Sequence, residues 1–353
     1  MRIALISTYG HPLALGLRYV SAALKRAGHD VRMVFITSRR DTARADFSPK
    51  LLASLVEHVR DVGLIGFSLM TNTYERARLL TEAIRKAGVR APVVWGGVHP
   101  TMAPEESLET ADIVCIGEGE ASTVELAEAL ASDRDPAALA GLWLRSNGRT
   151  IRNPARPLAT DLDAQPFPDY DLDNQHYIVE RDELVPARPR LMRGVLERYR
   201  VQTTRGCPFR CAFCSNAALQ RIYEGLGPWV RRRSNANVMA ELEQRVRSFP
   251  MIRGINVIDD LFWVREDDDL AEFVDLYSAK INLPIELDAF PTTVTQRKVD
   301  ILRRLPISLV SMGIQSGSEE TLYRLYDRWT PPPRIAEAID RLADAGIPAE
   351  YHY

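Results

Sequence analysis

Three of the four cysteines in this 353-residue chain fall within eight positions. They are Cys207, Cys211 and Cys214, spaced C-x3-C-x2-C in the run Arg205-Gly206-Cys207-Pro208-Phe209-Arg210-Cys211-Ala212-Phe213-Cys214. Thiolates are soft ligands that select zinc, copper or iron–sulfur clusters. A structural zinc site uses four protein ligands, and no histidine or further cysteine stands nearby in the sequence. A cubane cluster held by cysteine thiolates normally takes four as well. Three close cysteines therefore point to a cluster with one iron left open for another molecule. Two plainer readings compete: ordinary buried cysteines, and a disulfide, which the odd number and the lack of any mark of secretion disfavour.

The spacing resembles the signature of the radical S-adenosylmethionine (SAM) superfamily. Phe213 before the third cysteine fits that pattern, as does the strand-like Tyr199-Arg200-Val201-Gln202-Thr203-Thr204 ahead of the loop. The resemblance implies a 4Fe–4S cluster on Cys207, Cys211 and Cys214. Its open iron would chelate the amino and carboxylate groups of SAM, with Phe213 among the residues that meet the ligand.

The elements around this loop alternate between strand and helix. Strands are expected at 200–204, 254–258, 285–289, 307–312 and 348–353, with helices at 236–249 and 333–345 among those between them. This is the pattern of a parallel (β/α) barrel, which places its chemistry at the carboxyl ends of strands. Asp259-Asp260-Leu261-Phe262 follows the second strand, and Gly313-Ile314-Gln315-Ser316-Gly317-Ser318-Glu319 follows the fourth. In the family resembled, the first segment contacts the SAM ammonium and the second its carboxylate and ribose. That implies SAM-binding roles for Asp259, Asp260, Gln315 and Ser316, a match of charge and hydrogen bonding. Asp259 and Asp260 could equally cap the next helix, and the two roles are compatible. Gln315 stands where many relatives carry Glu. The family core has six strand–helix units, and this chain stops in what reads as the fifth, at Tyr351-His352-Tyr353. An unfinished barrel leaves an open strand edge, so the expectation is a piece of a longer protein, with substrate-recognising residues further on.

Residues 1–135 read as a separate, doubly wound, Rossmann-like domain. Apolar runs at 2–7, 31–36, 62–69, 92–95 and 112–116 suit strands buried on both faces. A helix over 75–87 sets Ala77, Leu79, Leu80, Ala83, Ile84 and Ala87 at helical spacing, and Gly28 and Gly88 stand where helices end. Unusual residues gather after the strands: Thr8-Tyr9-Gly10-His11-Pro12, Ser68-Leu69-Met70-Thr71-Asn72-Thr73, Trp95-Gly96-Gly97-Val98-His99-Pro100-Thr101, and Ile116-Gly117-Glu118-Gly119-Glu120. Ligands of such sheets bind outside the carboxyl ends of the strands. No G-x-G-x-x-G follows the first strand, so the fingerprint is not a dinucleotide one. The glycine runs, with Pro104-Glu105-Glu106, are similar instead to the cobalamin-binding domain that precedes many radical SAM cores. The resemblance implies cobalamin contacts from Tyr9, Gly10, Ser68, Thr71, Asn72, Gly96, Gly97, Val98, His99, Gly117, Glu118 and Gly119. One departure stands out: none of the six histidines has an Asp two positions before it, so the D-x-H-x-x-G motif is absent. Cobalt is therefore expected without a protein histidine below it. Cys115, in the last buried run, reads as packing.

Residues 136–199 read as a connector. Asn147-Gly148, between Gly141-Leu142-Trp143-Leu144-Arg145 and Thr150-Ile151-Arg152, signals a hairpin. Pro154, Pro157, Pro166, Pro168 and Pro189 then suggest an extended surface linker, with Tyr170, His176 and Tyr177 either capping the active site or belonging to a plain tether. The formal net charge is −2. The one basic run, Arg231-Arg232-Arg233, reads as a solvated surface feature, and no nucleic-acid footprint is evident. No apolar run reaches the roughly 18 residues of a membrane span, and low cysteine usage suits a reducing, anaerobic cytoplasm.

The resemblance implies a cobalamin-dependent radical SAM enzyme. Reductive cleavage of SAM would give a 5′-deoxyadenosyl radical, and the outcome would be methylation of an unactivated carbon in a small-molecule natural-product or cofactor precursor. A radical SAM cyclase or ring-rearranging enzyme stays open, as does a cobalamin- or redox-sensing module without activity. The implied partners are a small-molecule substrate and an electron donor such as flavodoxin or ferredoxin. No residue announces itself as a catalytic acid or base.

Overall fold

Near-continuous apolar runs become central strands because both of their faces are covered. In the computed structural model, which describes residues 1–9, 11–37, 47–146, 148–172 and 175–353, two units form. One comprises residues 1–158 and 165–195, and the other residues 159–164 and 196–353.

The first unit is built on β1 (Arg2–Ser7), β2 (Asp30–Phe35), β3 (Leu64–Ser68), β4 (Val93–Gly96) and β5 (Ile113–Cys115). These lie parallel in the order β2-β1-β3-β4-β5. The order reverses between β1 and β3, which opens a crevice at their carboxyl ends. Ile3 pairs with Val31 on one side and Leu64 on the other, and all three are buried. The helices Leu15–Arg26 and Tyr74–Lys86 end as their glycines predict. Gly28 and Gly88 adopt φ of 85° and 79°. In each case the next residue's N–H reaches back to Leu24 or Ile84, closing a Schellman turn.

The segment read as a surface linker instead enlarges this sheet. The hairpin β6 (Leu142–Ser146) and β7 (Arg149–Arg152) adds antiparallel to β5, with Gly148 at φ 74°. Asn147 lies outside the described residues. β8 (His176–Glu180) joins β2 in parallel, and β9 (Glu183–Pro186) pairs back onto β8. Tyr170 and His176 are each only 1% exposed, so neither is free to cap a site from a tether. The reason is a buried polar junction. The Asp169 carboxylate accepts from Ser21 Oγ at 2.5 Å and lies 2.9 Å from Lys25 Nζ and 3.2 Å from His176 Nε2. The Arg18 guanidinium donates to the Asp169 carbonyl at 2.6 Å and stacks 3.9 Å from the Tyr170 ring. Tyr177 packs edge-on against His58, with ring centroids 4.4 Å apart.

The second unit is a five-stranded parallel sheet: β10 (Arg198–Val201), β13 (Gly254–Val257), β14 (Ile285–Ala289), β15 (Ile307–Gly313) and β16 (Ala349–His352). A short antiparallel ribbon, β11 (Thr204–Arg205) and β12 (Arg231–Arg232), stands beside it. The sheet order follows the chain order, as in a barrel wall, and helices Asn235–Ser248, Asp267–Lys280, Gln296–Leu302 and Pro332–Asp344 fall between successive strands. Along β14, Ile285, Leu287 and Ala289 are buried while Glu286 and Asp288 are half-buried on the opposite face. The Arg231-Arg232-Arg233 run is not a solvated feature. Arg231 and Arg233 are 5% and 6% exposed. Arg231 donates to the Ala159 carbonyl, and Arg233 pairs with fully buried Glu241 at 2.5 Å. Buried arginines need such partners because an unpaired charge away from water is costly.

Candidate cofactor sites

In the first unit the glycine-bearing turns converge at the carboxyl edge of the sheet. Gly97, after β4, has φ 102°, and a Cβ there would lie 2.7 Å from the Leu69 carbonyl oxygen and 3.1 Å from its nitrogen. Only glycine lets β4 pass so close to the turn after β3. Thr101 ties two of the turns together, donating to the Gly97 carbonyl at 2.8 Å and accepting from the Gly117 N–H at 2.9 Å. Gly117 is itself left-handed, at φ 78°. Glu118 precedes the helix Gly119–Ala131, and Gly119 packs tightly, its Cβ position 3.3 Å from Val20. Gly96 and Val98 are half-buried on the same edge, Thr71 and Asn72 are exposed, and Tyr9 is half-buried. Burial pushes the Tyr9 phenol above its usual range, partly offset by a hydrogen bond with Ser68. Gly10 lies outside the described residues.

His99 is 6% exposed. Its Nδ1 lies 3.2 Å from Thr71 Oγ1, its ring packs against Tyr74, and its Nε2 is 3.5 Å from Glu106. Burial lowers its pKa, with Glu106 opposing, so the imidazole is neutral near pH 7. The Ser7 and Thr8 hydroxyls, fully buried where the strand order reverses, have no hydrogen-bond partner among the described residues. Buried hydroxyls of this kind call for a partner. With the glycine turns beside them, these residues fit a large polar-edged cofactor.

In the second unit the three-cysteine loop leaves β11. Gly206 has φ 88°, and a Cβ there would collide with the Trp229 carbonyl, while Trp229 Nε1 donates to the Cys207 carbonyl at 2.8 Å. Cys214 N–H bonds the Cys211 carbonyl at 2.9 Å and leads into the helix Ser215–Ile222. Cys207 and Cys214 are half-buried and Cys211 is buried. Burial raises the Cys207 thiol to about 11, with the Phe209 backbone opposing and Asp260, Cys211 and Cys214 adding to it. Among the described residues no three His, Cys, Asp or Glu side chains gather tightly enough for a single metal ion. Separate thiolates on one loop suit a cluster that binds one per iron. Cys115 is different. It sits in β5 of the first unit, 2% exposed, with burial raising its thiol to about 12.

Asp259 and Asp260, after β13, both grip the approach to this loop. Asp259 is 3% exposed, and its carboxylate accepts the Thr203 N–H at 2.6 Å, the Thr204 N–H at 2.9 Å and the Thr203 hydroxyl. Both oxygens are therefore occupied within the protein. Buried Arg265 donates to Thr203 Oγ1 at 2.8 Å and closes the network. Burial pushes the Asp259 carboxyl upward, against those hydrogen bonds and the Arg265 charge. Asp260 is exposed and accepts the Gly206 N–H at 3.1 Å.

After β15, Gln315 is left-handed at φ 72°, a strained geometry for a non-glycine. Its N–H bonds the His352 carbonyl, and Ser316 Oγ accepts the Ser318 N–H at 3.0 Å. Phe213 is 52% exposed and meets Tyr326 edge-on at 5.1 Å.

Two residues here escaped sequence reasoning. Arg328, 6% exposed, donates to Cys211 Sγ at 3.5 Å and to the Gly313 carbonyl. Its guanidinium lies 3.9 Å from the centroid of Phe290, which stacks on Phe209 at 3.9 Å. Asp288, on the half-buried face of β14, is raised to about 6 by burial and by Asp259, with His352 opposing. No period or motif marks either residue, since each matters only through neighbours far along the chain.

A glycine-lined crevice in a doubly wound unit and a three-thiol loop in a parallel-sheet unit define a cofactor-binding α/β protein with a candidate site in each unit. Comparison with known proteins agrees. Residues 1–127 match the B12 binding domain and residues 201–352 the radical SAM superfamily. An uncharacterized methyltransferase of Pyrococcus horikoshii, PH0819, is 27% identical over 347 residues, covering 98% of this chain and 69% of its own. An anaerobic magnesium-protoporphyrin IX monomethyl ester cyclase of Cereibacter sphaeroides is 26% identical, covering 95% of this chain and 52% of its own. The radical SAM methyltransferase TsrM of Kitasatospora setae, solved with tryptophan substrate and a SAM analogue, shares the fold. Its TM-score is 0.77 at 18% identity, over 99% of this chain and 67% of that one. The chain thus joins a B12-binding domain to a radical SAM domain, and its cofactors are cobalamin, SAM and a 4Fe–4S cluster. Among the described residues no helix is long and apolar enough to cross a membrane.

Proposed function

We propose that this chain carries the cofactor-binding portion of an enzyme that methylates an unactivated carbon of a small molecule. The observation that carries the reading is three thiols on one loop of the second unit, in a chain whose first unit has a glycine-lined crevice and matches the B12 binding domain. When bound, the cluster supplies one-electron reduction of SAM and the cobalamin a transferable methyl group. The chain's own residues position and shield these groups. Asp259 and Asp260 fix the approach to Cys207, and the exposed carboxylate of Asp260 suits the SAM ammonium. Gln315 and Ser316 offer hydrogen bonds to ribose or carboxylate, and Phe213 offers an exposed ring for adenine. Tyr9, Ser68, Thr71, Asn72, Gly96, Gly97, Val98, His99, Gly117, Glu118 and Gly119 line the carboxyl edge that would receive cobalamin, with Gly10 assigned from the sequence. A low-potential donor such as flavodoxin or ferredoxin would deliver the electron.

The relative of Cereibacter sphaeroides keeps ring closure as the second reading. Incubating reduced, reconstituted protein with candidate substrates and SAM deuterated on its methyl group separates the two. A product carrying the labelled methyl supports methylation. An unlabelled cyclised product together with 5′-deoxyadenosine supports the second reading, and no 5′-deoxyadenosine under any condition defeats both.

A further inference from the structure

Arg328 is a buried cation with no carboxylate against it among the described residues. Its Nη1 points to Cys211 Sγ and its Nη2 to the Gly313 carbonyl, while its Nε has no partner among the described residues. Phe290 covers the guanidinium face, and Phe290 in turn stacks on Phe209, midway between Cys207 and Cys211. A second link pins the same segment to the loop, because the Ala212 N–H bonds the Tyr326 carbonyl at 2.8 Å. The π-helical turn Thr321–Leu325 lies just before it, and such turns are frequent at functional sites. A charge taken out of water without a counter-charge destabilises the fold strongly. The missing negative charge therefore has to arrive at the sulfur that Arg328 touches.

We propose that Arg328 is the fixed counter-charge of the cluster, donating to the Cys211 thiolate and raising the cluster's reduction potential. This rests on the cluster assignment made above. Each thiolate brings one negative charge, and the electron received from the external low-potential donor adds another without a proton. Arg stays protonated throughout, so it favours the reduced, more negative state. Net charge and hydrogen bonds to sulfur are among the determinants of such potentials, and burial strengthens both.

The test uses the whole chain, reconstituted with iron and sulfide, without SAM. A redox titration followed by electron paramagnetic resonance gives the one-electron midpoint potential, and iron content is measured alongside. R328Q should make reduction at least tenfold less favourable, a shift of 59 mV to more negative potential. R328K should shift the same way by less, because one ammonium cannot span both the sulfur and the Gly313 carbonyl. R328K also decides the matter if R328Q does not fold. Full iron content with an unmoved potential overturns the proposal, and so does a shift that appears only once SAM is added. A wild-type chain that assembles no cluster removes the cluster assignment, and this inference with it.

Discussion

Asp259 accepts the Thr203 backbone N–H at 2.6 Å across 56 residues of chain, and the Thr203 hydroxyl bonds the same carboxylate. Thr203 and Thr204 lie just ahead of the cysteine loop, so the end of one strand is fastened to the root of another. Asp259, which the family resemblance makes a SAM contact, is in the fold also an anchor for the loop that holds the thiols.

The first prediction follows from that anchor. Asp259→Asn removes an acceptor and leaves Arg265 short of a buried counter-charge, at a cost of about 3 kcal/mol. Asp260→Asn, at an exposed site, should cost less than about 0.5 kcal/mol. Urea unfolding of the cluster-free protein measures both. Equal losses would show that Asp259 is no anchor.

The four cysteines should divide three to one. Replacing Cys207, Cys211 or Cys214 by Ala should abolish the cluster absorption and most of the iron. Cys115→Ala should leave iron content at the wild-type level, since this thiol is buried in β5 of the first unit. Iron loss in the Cys115 variant would give that residue a ligand role.

Gly97→Ala places a Cβ 2.7 Å from the Leu69 carbonyl at a φ of 102°. Cobalamin binding should fall by tenfold or more, measured by equilibrium dialysis. His99→Ala should leave the Co(II) paramagnetic spectrum without change and free of imidazole nitrogen splitting, because the neutral ring is already engaged by Thr71 and Tyr74. Imidazole splitting that vanishes in the His99 variant would make His99 a cobalt ligand.

Asp288 gives a pH prediction with a definite sign. Its folded pKa, about 6, lies above the ordinary carboxyl value, so the folded state holds this proton more tightly than the unfolded state. Its contribution is most favourable below the unfolded value near 4 and is lost as pH rises to about 6. Asp288→Asn should therefore raise the melting temperature at pH 7.5 relative to wild type, with a smaller gain at pH 4.5. Equal shifts at both pH values would mean that Asp288 titrates normally.

Periodicity and spacing alone placed ten parallel strands, the loops between them and the three cysteines, because strand burial and ligand spacing are local properties of the chain. Strand 285–289 forms where its apolar pattern predicts. Local pattern misled where burial depended on a distant partner. Proline density suggested a tether through residues 154–189, yet Ser21 and Lys25 capture Asp169 across 148 and 144 residues and draw the segment into the first sheet. Charge density suggested a wet surface at Arg231 and Arg233, yet Glu241 and the Ala159 carbonyl bury them. The roles of Asp259 and Arg328 belong wholly to the tertiary structure. A carboxylate becomes an anchor, and a guanidinium a counter-charge, only when packing removes water and brings a donor or a sulfur within reach. Arg328 meets Cys211 across 117 residues, a contact that no local regularity encodes.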